Sequence, residues 1–195
     1  MSRLERETRE TRVTVALSRG DGPSRVETGE PFLTHMVETL VRYAGLELEL
    51  EARGDLRHHL VEDVAITLGL ALAEEVPERA ARYGWALVPM DDALVQAAVD
   101  LGGRPWYAGR LPSALYEHFL RSLAFNLGAT VHVKVLRGRD RHHVVEAAVK
   151  ALGLALRQAL AQGPGEAVFS TKGAVRMRRG DAPGEGARGG PGEGG

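Results

Sequence analysis

The sequence predicts an internally duplicated α+β fold, with two similar sheets and the helices of both halves packed between or against them. Three observations carry that expectation. First, HHLVED at 58 to 63 returns as HHVVEA at 142 to 147, and each copy opens an apolar segment ending in LGLAL, at 68 to 72 and at 152 to 156. Second, runs that alternate apolar and polar residues with the period of a strand stand beside segments whose apolar residues recur at helical spacing. Third, aligning the halves places His35 over His118 at an offset of 83 and His58 over His142 at 84, so one inserted residue suffices, and Gly45, Gly54 and Gly69 then fall on Gly128, Gly138 and Gly153. The duplicated stretch is about 45 residues, too long and in too few copies for a solenoid. The expected organisation is a first repeat over 1–90, a second over 91–176, and a Gly-rich tail over 177–195 with too little apolar surface to order itself.

In chain order, RVTVALS at 12 to 18 sets Val13, Val15 and Leu17 against Thr14 and Ala16, a strand pattern, and GDG at 20 to 22 with Pro23 reads as a turn. Phe32, Leu33, Met36, Leu40 and Tyr43 recur at helical spacing, with His35 among them. In LELELEARGD, Leu46, Leu48 and Leu50 alternate with Glu47, Glu49 and Glu51, which predicts a half-buried strand with a solvated acidic face. The first HHxxE segment follows as a helix, its Val61, Val64, Leu68 and Leu72 forming the stripe for the core. From Arg82 to Gly109 the reading is one strand, a turn at Pro89, an apolar patch and another strand. Leu115 to Ala124 is a helix carrying His118, TVHVKV at 130 to 135 a strand, and His142 opens the second HHxxE helix.

Composition narrows the function. A chain of 195 residues that is 44% hydrophobic can bury a core, and a formal charge of −1 gives no general pull toward nucleic acid or an anionic membrane. The basic cluster RMRRG at 176 to 180 reads as a solvated tail. With no cysteine, disulfides, thiol catalysis and thiolate metal sites are excluded, and the charged start MSRLERETRE does not read as a signal peptide, so a cytoplasmic protein is expected.

Imidazole with carboxylate is a donor set that Mn, Fe and Zn accept. On a helix His58 and Glu62, four apart, stack on one face, whereas His59 points about 100° away. One ion can take His58 with Glu62 but not both histidines, and the same holds for His142, His143 and Glu146. A helix start disfavours added positive charge, so paired histidines placed there twice need a reason other than helix formation. The reading is two metal ions, each collecting ligands from both copies.

The runs PFLTHMVETLVRYAG, GDLRHHLVEDVAITLG, RYGWALVPMDDAL, LGGRPWY, HFLRSLAFN, RDRHHVVEAAVKALG and STKG, in this order over about residues 8 to 176, resemble the imidazoleglycerol-phosphate dehydratase family of histidine biosynthesis. The resemblance implies two four-stranded sheets of the ribosomal protein S5 domain 2-like kind, a manganese-dependent hydro-lyase with two Mn²⁺ per active site, and a 24-subunit homo-oligomer with active sites at subunit boundaries. It implies metal ligands at His35, His58, His59, Glu62, His118, His142, His143 and Glu146, an acid/base glutamate at Glu10 with Glu62 and Glu146 beside it, and phosphate-binding groups at Arg82, Arg104, Ser170 and Lys172. The implied reaction breaks a carbon–hydrogen bond next to the imidazole of imidazole glycerol phosphate, with Lewis-acid help from the metal and proton transfer by a carboxylate. Loss of the hydroxyl then gives an enol that becomes imidazole acetol phosphate, while fixed positive charge holds the phosphate.

Two positions depart from the family pattern. Thr34 stands where Asp is usual, and Leu56 and Arg57 lead directly into His58 in place of a longer acidic approach, which removes carboxylates expected to orient the ligands. The alternative to the dehydratase is therefore a catalytically weakened, metal-binding oligomeric paralogue of the same fold. A metal-dependent hydrolase would release phosphate from the same substrate instead of forming a ketone.

Overall fold

The computed structural model describes residues 1–163. The tail over 177–195 and the expected phosphate-binding groups Ser170 and Lys172 lie outside the described residues. The first half runs β1 (Ser2–Glu7), β2 (Thr11–Arg19), β3 (Arg25–Glu27), α1 (Pro31–Ala44), β4 (Leu46–Gly54) and α2 (Arg57–Glu75). The second repeats it as β5 (Tyr83–Met90), β6 (Ala93–Asp100), β7 (Trp106–Gly109), α3 (Ala114–Leu127), β8 (Thr130–Arg137) and α4 (Arg141–Ala159). Each half forms a four-stranded sheet, ordered β1-β2-β4-β3 and β5-β6-β8-β7, in which the third strand pairs parallel with the fourth and the other pairs are antiparallel. The duplication thus includes every element of both halves, well beyond the stretch visible as repeated letters.

The alternating strands behave as their periodicity requires. Val13, Val15 and Leu17 on β2 and Leu46, Leu48 and Leu50 on β4 are buried, while Glu49 and Glu51 face solvent. Helices α1 and α2 lie on the first sheet and α3 and α4 on the second, and between the sheets α1 packs on α4 and α2 on α3. Leu33, Met36 and Leu40 of α1, Val64, Leu68 and Leu72 of α2, Phe119 and Leu123 of α3, and Val149, Leu152 and Leu156 of α4 fill the space between.

The segment from Arg82 to Gly109 differs from expectation. It holds three strands, and Pro89 lies inside β5, paired with Leu94, with the reversal at Asp91 and Asp92 beyond it. Proline is tolerated because β5 is an edge strand, where a missing N–H breaks no ladder. Since β5 pairs with β6 in the second sheet, the border between repeats falls between α2 and β5, not after residue 90. Strands β1 and β3 leave no period in the letters, because β1 is charged along most of its length and β3 has three residues, too few to show one.

One polar device anchors each HHxxE helix. The buried Asp63 of HHLVED accepts from Arg6 Nε at 2.9 Å and from the hydroxyl of Thr11, tying the helix to β1 and β2. Arginine and hydroxyl together satisfy a carboxylate that would otherwise be costly to bury. Asp140 caps the start of α4, accepting from the backbone N–H groups of His142 at 2.7 Å and His143 at 3.4 Å.

The aligned pair Gly69 and Gly153 marks the helix crossings. A Cβ at Gly69 would stand 2.8 Å from the carbonyl oxygen of Leu123 on α3, and one at Gly153 would stand 2.8 Å from that of Leu40 on α1. Neither backbone oxygen can yield without moving its helix, so glycine sets how closely each pair approaches. Gly69→Ala and Gly153→Ala are each expected to lower stability by about 1–3 kcal/mol through overpacking, measured as a shift of the urea midpoint of the metal-free chain.

Candidate metal centre

The two helix crossings bring imidazoles and carboxylates together in two places. At the α2–α3 crossing, His58 Nε2 lies 3.8 Å from Glu62 Oε2 and His118 Nε2 lies 3.3 Å from Glu62 Oε1, with the two imidazole rings stacked at 5.2 Å between centroids. At the α1–α4 crossing, His35 Nε2 and His142 Nε2 approach the same oxygen, Glu146 Oε2, at 3.3 and 3.0 Å. In each trio the potential ligand atoms all lie within 4.8 Å of one another. Each takes one histidine and the glutamate four residues later from an HHxxE helix, and the third member from the helix of the other half.

The donor set fits a metal ion. His118 Nε2 is buried without a hydrogen-bond partner, since its approach to Glu62 falls outside hydrogen-bonding geometry. An unpaired buried ring nitrogen is costly unless it faces a cation. Both glutamates would carry the negative charge that balances an ion. Burial pushes the Glu146 carboxyl upward, but hydrogen bonds from Lys150 and His35 outweigh it and hold the group below the ordinary carboxylate range.

The second histidine of each pair is left out of both trios, as the helical spacing requires. His59 Nδ1 lies 3.0 Å from Asp55 Oδ1 and 3.2 Å from Glu10 Oε2. His143 Nδ1 lies 2.8 Å from Asp92 Oδ1, and its Nε2 is 3.5 Å from Asp91. These partners raise both imidazoles above the ordinary histidine value, with the hydrogen bond to Asp55 the largest cause for His59 and that to Asp92 the largest for His143. A carboxylate on Nδ1 fixes the ring and leaves Nε2 to a ligand.

These acids include groups the sequence reading did not single out. Asp55 stands four residues before His59, so the shortened approach to the first HHxxE still supplies a carboxylate. Asp91 and Asp92 form the β5–β6 turn, the counterpart of the β1–β2 turn that carries Glu10, with Asp91 at a φ of 47°. The common strand order would have been needed to see that correspondence, and it is not written in the letters. Thr34 turns away from this chemistry, its hydroxyl 2.8 Å from that of Thr28.

The described groups expected to bind phosphate lie elsewhere. The Arg82 N–H donates to Ala159 O at the last turn of α4, while His142 sits in its first turn, 17 positions back along the helix, about 25 Å at the helical rise. Arg82, with a φ of 72°, pairs through Nε with Asp100 Oδ1 at 2.6 Å. Arg104 is at the same end of the sheet, its carbonyl accepting from the Thr130 hydroxyl at 2.7 Å. One chain therefore does not bring these arginines to its own α1–α4 trio.

Known proteins are similar to this chain over most of its length. A family model described as imidazoleglycerol-phosphate dehydratase matches residues 28–156. The imidazoleglycerol-phosphate dehydratases of Pyrobaculum arsenaticum and Pyrobaculum calidifontis are 54% and 52% identical over 187 residues, which cover 87% and 88% of this chain and 98% of each relative. The crystal structure of the Pyrococcus furiosus protein in complex with (S)-C348 superposes with a TM-score of 0.78 at 41% identity, covering 88% of this chain and all of that one. The Staphylococcus aureus structure gives a TM-score of 0.75 at 33% identity, covering 82% of this chain and 98% of that one. The chain belongs to the imidazoleglycerol-phosphate dehydratase family.

Proposed function

We propose that this chain dehydrates imidazole glycerol phosphate to imidazole acetol phosphate in histidine biosynthesis, using two Mn²⁺ ions per active site. The observation that carries the reading is the pair of trios, His58, Glu62, His118 and His35, His142, Glu146, each assembled from both halves. His59 and His143 complete the ligand set from outside their own chain's trios. That requirement, and the separation of Arg82 and Arg104 from the α1–α4 trio, support active sites at subunit boundaries in a 24-subunit assembly. The compartment is the cytoplasm.

When bound, the ions supply Lewis acidity to the substrate imidazole, so the ring can hold the charge left by the departing proton. Glu10, half exposed and held 3.2 Å from His59, accepts that proton and passes it to the departing hydroxyl, which leaves as water. Glu62 and Glu146 act beside it as negative charges that hold His58 with His118 and His142 with His35. Arg82 and Arg104, with Ser170 and Lys172, hold the phosphate. The Asp100 carboxylate fixes the Arg82 guanidinium in a plane suited to paired hydrogen bonds with phosphate oxygens.

The purified chain should bind manganese and convert imidazole glycerol phosphate to the keto product, losing activity with a chelator and regaining it when Mn²⁺ is restored. Release of inorganic phosphate without ketone would favour a hydrolase. Glu10→Gln should retain the metal, read by elemental analysis, yet lose about 10²- to 10⁴-fold in turnover. Asp92→Ala should loosen manganese about 10- to 100-fold, because the His143 ring loses its orienting partner; an unchanged affinity in a direct binding titration would show that Asp92 does not position that ring.

A further inference from the structure

The two trios look alike in composition but differ in their charged surroundings, and one side chain, Lys150, touches the carboxylate itself. Lys150 stands four residues after Glu146, one turn along α4, and its Nζ lies 2.9 Å from Glu146 Oε1. The position matching Lys150 in the first half is Ile66, four residues after Glu62. Glu146 therefore gives one oxygen to its lysine and the other to His35 and His142, whereas Glu62 turns Oε2 to His58 and Oε1 to His118. Lys150 is held in place: its ammonium also lies 3.6 Å from Met90 Sδ and 5.8 Å from the centre of the Tyr43 ring, and its side chain is mostly buried. Arg42 and Arg157 line the same groove with Glu38, and their counterparts beside the other trio, Phe125 and Ala73, carry no charge. On that side Arg121 faces Glu117 at 3.7 Å, Arg6 pairs with Asp63 at 2.9 Å and Arg57 with Glu30 at 3.0 Å.

Resting on the reading of the trios as metal sites, we infer that the two sites are unequal: the α1–α4 site binds its divalent ion more weakly than the α2–α3 site, and Lys150 sets the gap. A cation that neutralises the only carboxylate of a site and stands beside it repels the incoming ion, in a setting where burial weakens solvent screening. Lys150 is a positioning residue here. It fixes which Glu146 oxygen faces the imidazoles and tunes how much negative charge that oxygen offers.

The test is a manganese titration of the metal-stripped full-length chain, following free Mn²⁺ by electron paramagnetic resonance. Two steps of one ion per chain are expected, with dissociation constants about 10- to 100-fold apart. Lys150→Met should tighten the weaker step and bring the two within about threefold, leaving the tighter step unmoved, while Lys150→Arg, which keeps the charge, should preserve the gap. Ile66→Lys makes the converse change and should weaken the tighter step, which also covers the case in which Lys150→Met fails to fold. His35→Ala should remove the weaker step and His118→Ala the tighter one. Two equal steps in the unaltered chain, or a gap that Lys150→Met and Ile66→Lys both leave unchanged, would overturn the inference while leaving the metal reading intact. Binding of no manganese would overturn the metal reading itself.

Discussion

The structure depends on the geometry of a histidine and a glutamate four residues apart on a helix that crosses a second helix at close range. The spacing fixes which imidazole shares a face with the carboxylate, and so decides that His58 joins Glu62 and His142 joins Glu146 while His59 and His143 are turned aside. The crossing supplies the third member. Gly69 and Gly153 let α3 and α1 come near enough for His118 and His35 to reach the glutamate of the facing helix. A bulkier residue at either glycine would act on stability and on ligand spacing together, since both follow from the same interhelical distance.

Strand turns do the remaining electrostatic work. Both HHxxE helices begin beside a hairpin turn of their own sheet, and that turn carries acid toward the second histidine: Glu10 from the β1–β2 turn, Asp91 and Asp92 from the β5–β6 turn. A helix start that opens with two histidines is unfavourable against the helix dipole. Carboxylates in contact with the rings offset that cost and fix the tautomer of the ring. The two halves use different acids for this. Asp140 caps α4 and leaves Asp92 for His143, whereas on α2 Asp55 serves His59 directly and α2 has no side-chain cap.

Sequence periodicity located the helices bearing every candidate ligand among the described residues, because each has a buried stripe whose spacing survives in the letters: Val61, Val64, Leu68 and Leu72 are all buried. The eight histidines and glutamates were legible through duplication. What the letters hid was the part of the duplication carried by strands with little residue identity. Thus β1, charged and at a sheet edge, gave no period, and β5 was assigned to the wrong half, since a strand does not announce which sheet it joins. Asp55, Asp92 and Lys150 were hidden for a related reason. A residue that acts through another is recognisable only once the contact exists, and Asp92 reaches His143 across 51 positions of chain.

Duplication followed by divergence explains why the two crossings are not identical. Each half alone holds one HHxxE helix and one single-histidine helix, yet α1 meets α4 and α2 meets α3, so no half can form a trio from its own residues. Once ligands are shared between halves, each crossing can change without the other, and a single substitution on α4 is enough to make one carboxylate share its charge with lysine. The same geometry that divides the first histidines between two crossings leaves His59 and His143 to the acids beside the hairpin turns. A chain built in this way carries two trios of potential ligands, with His59 and His143 left outside both.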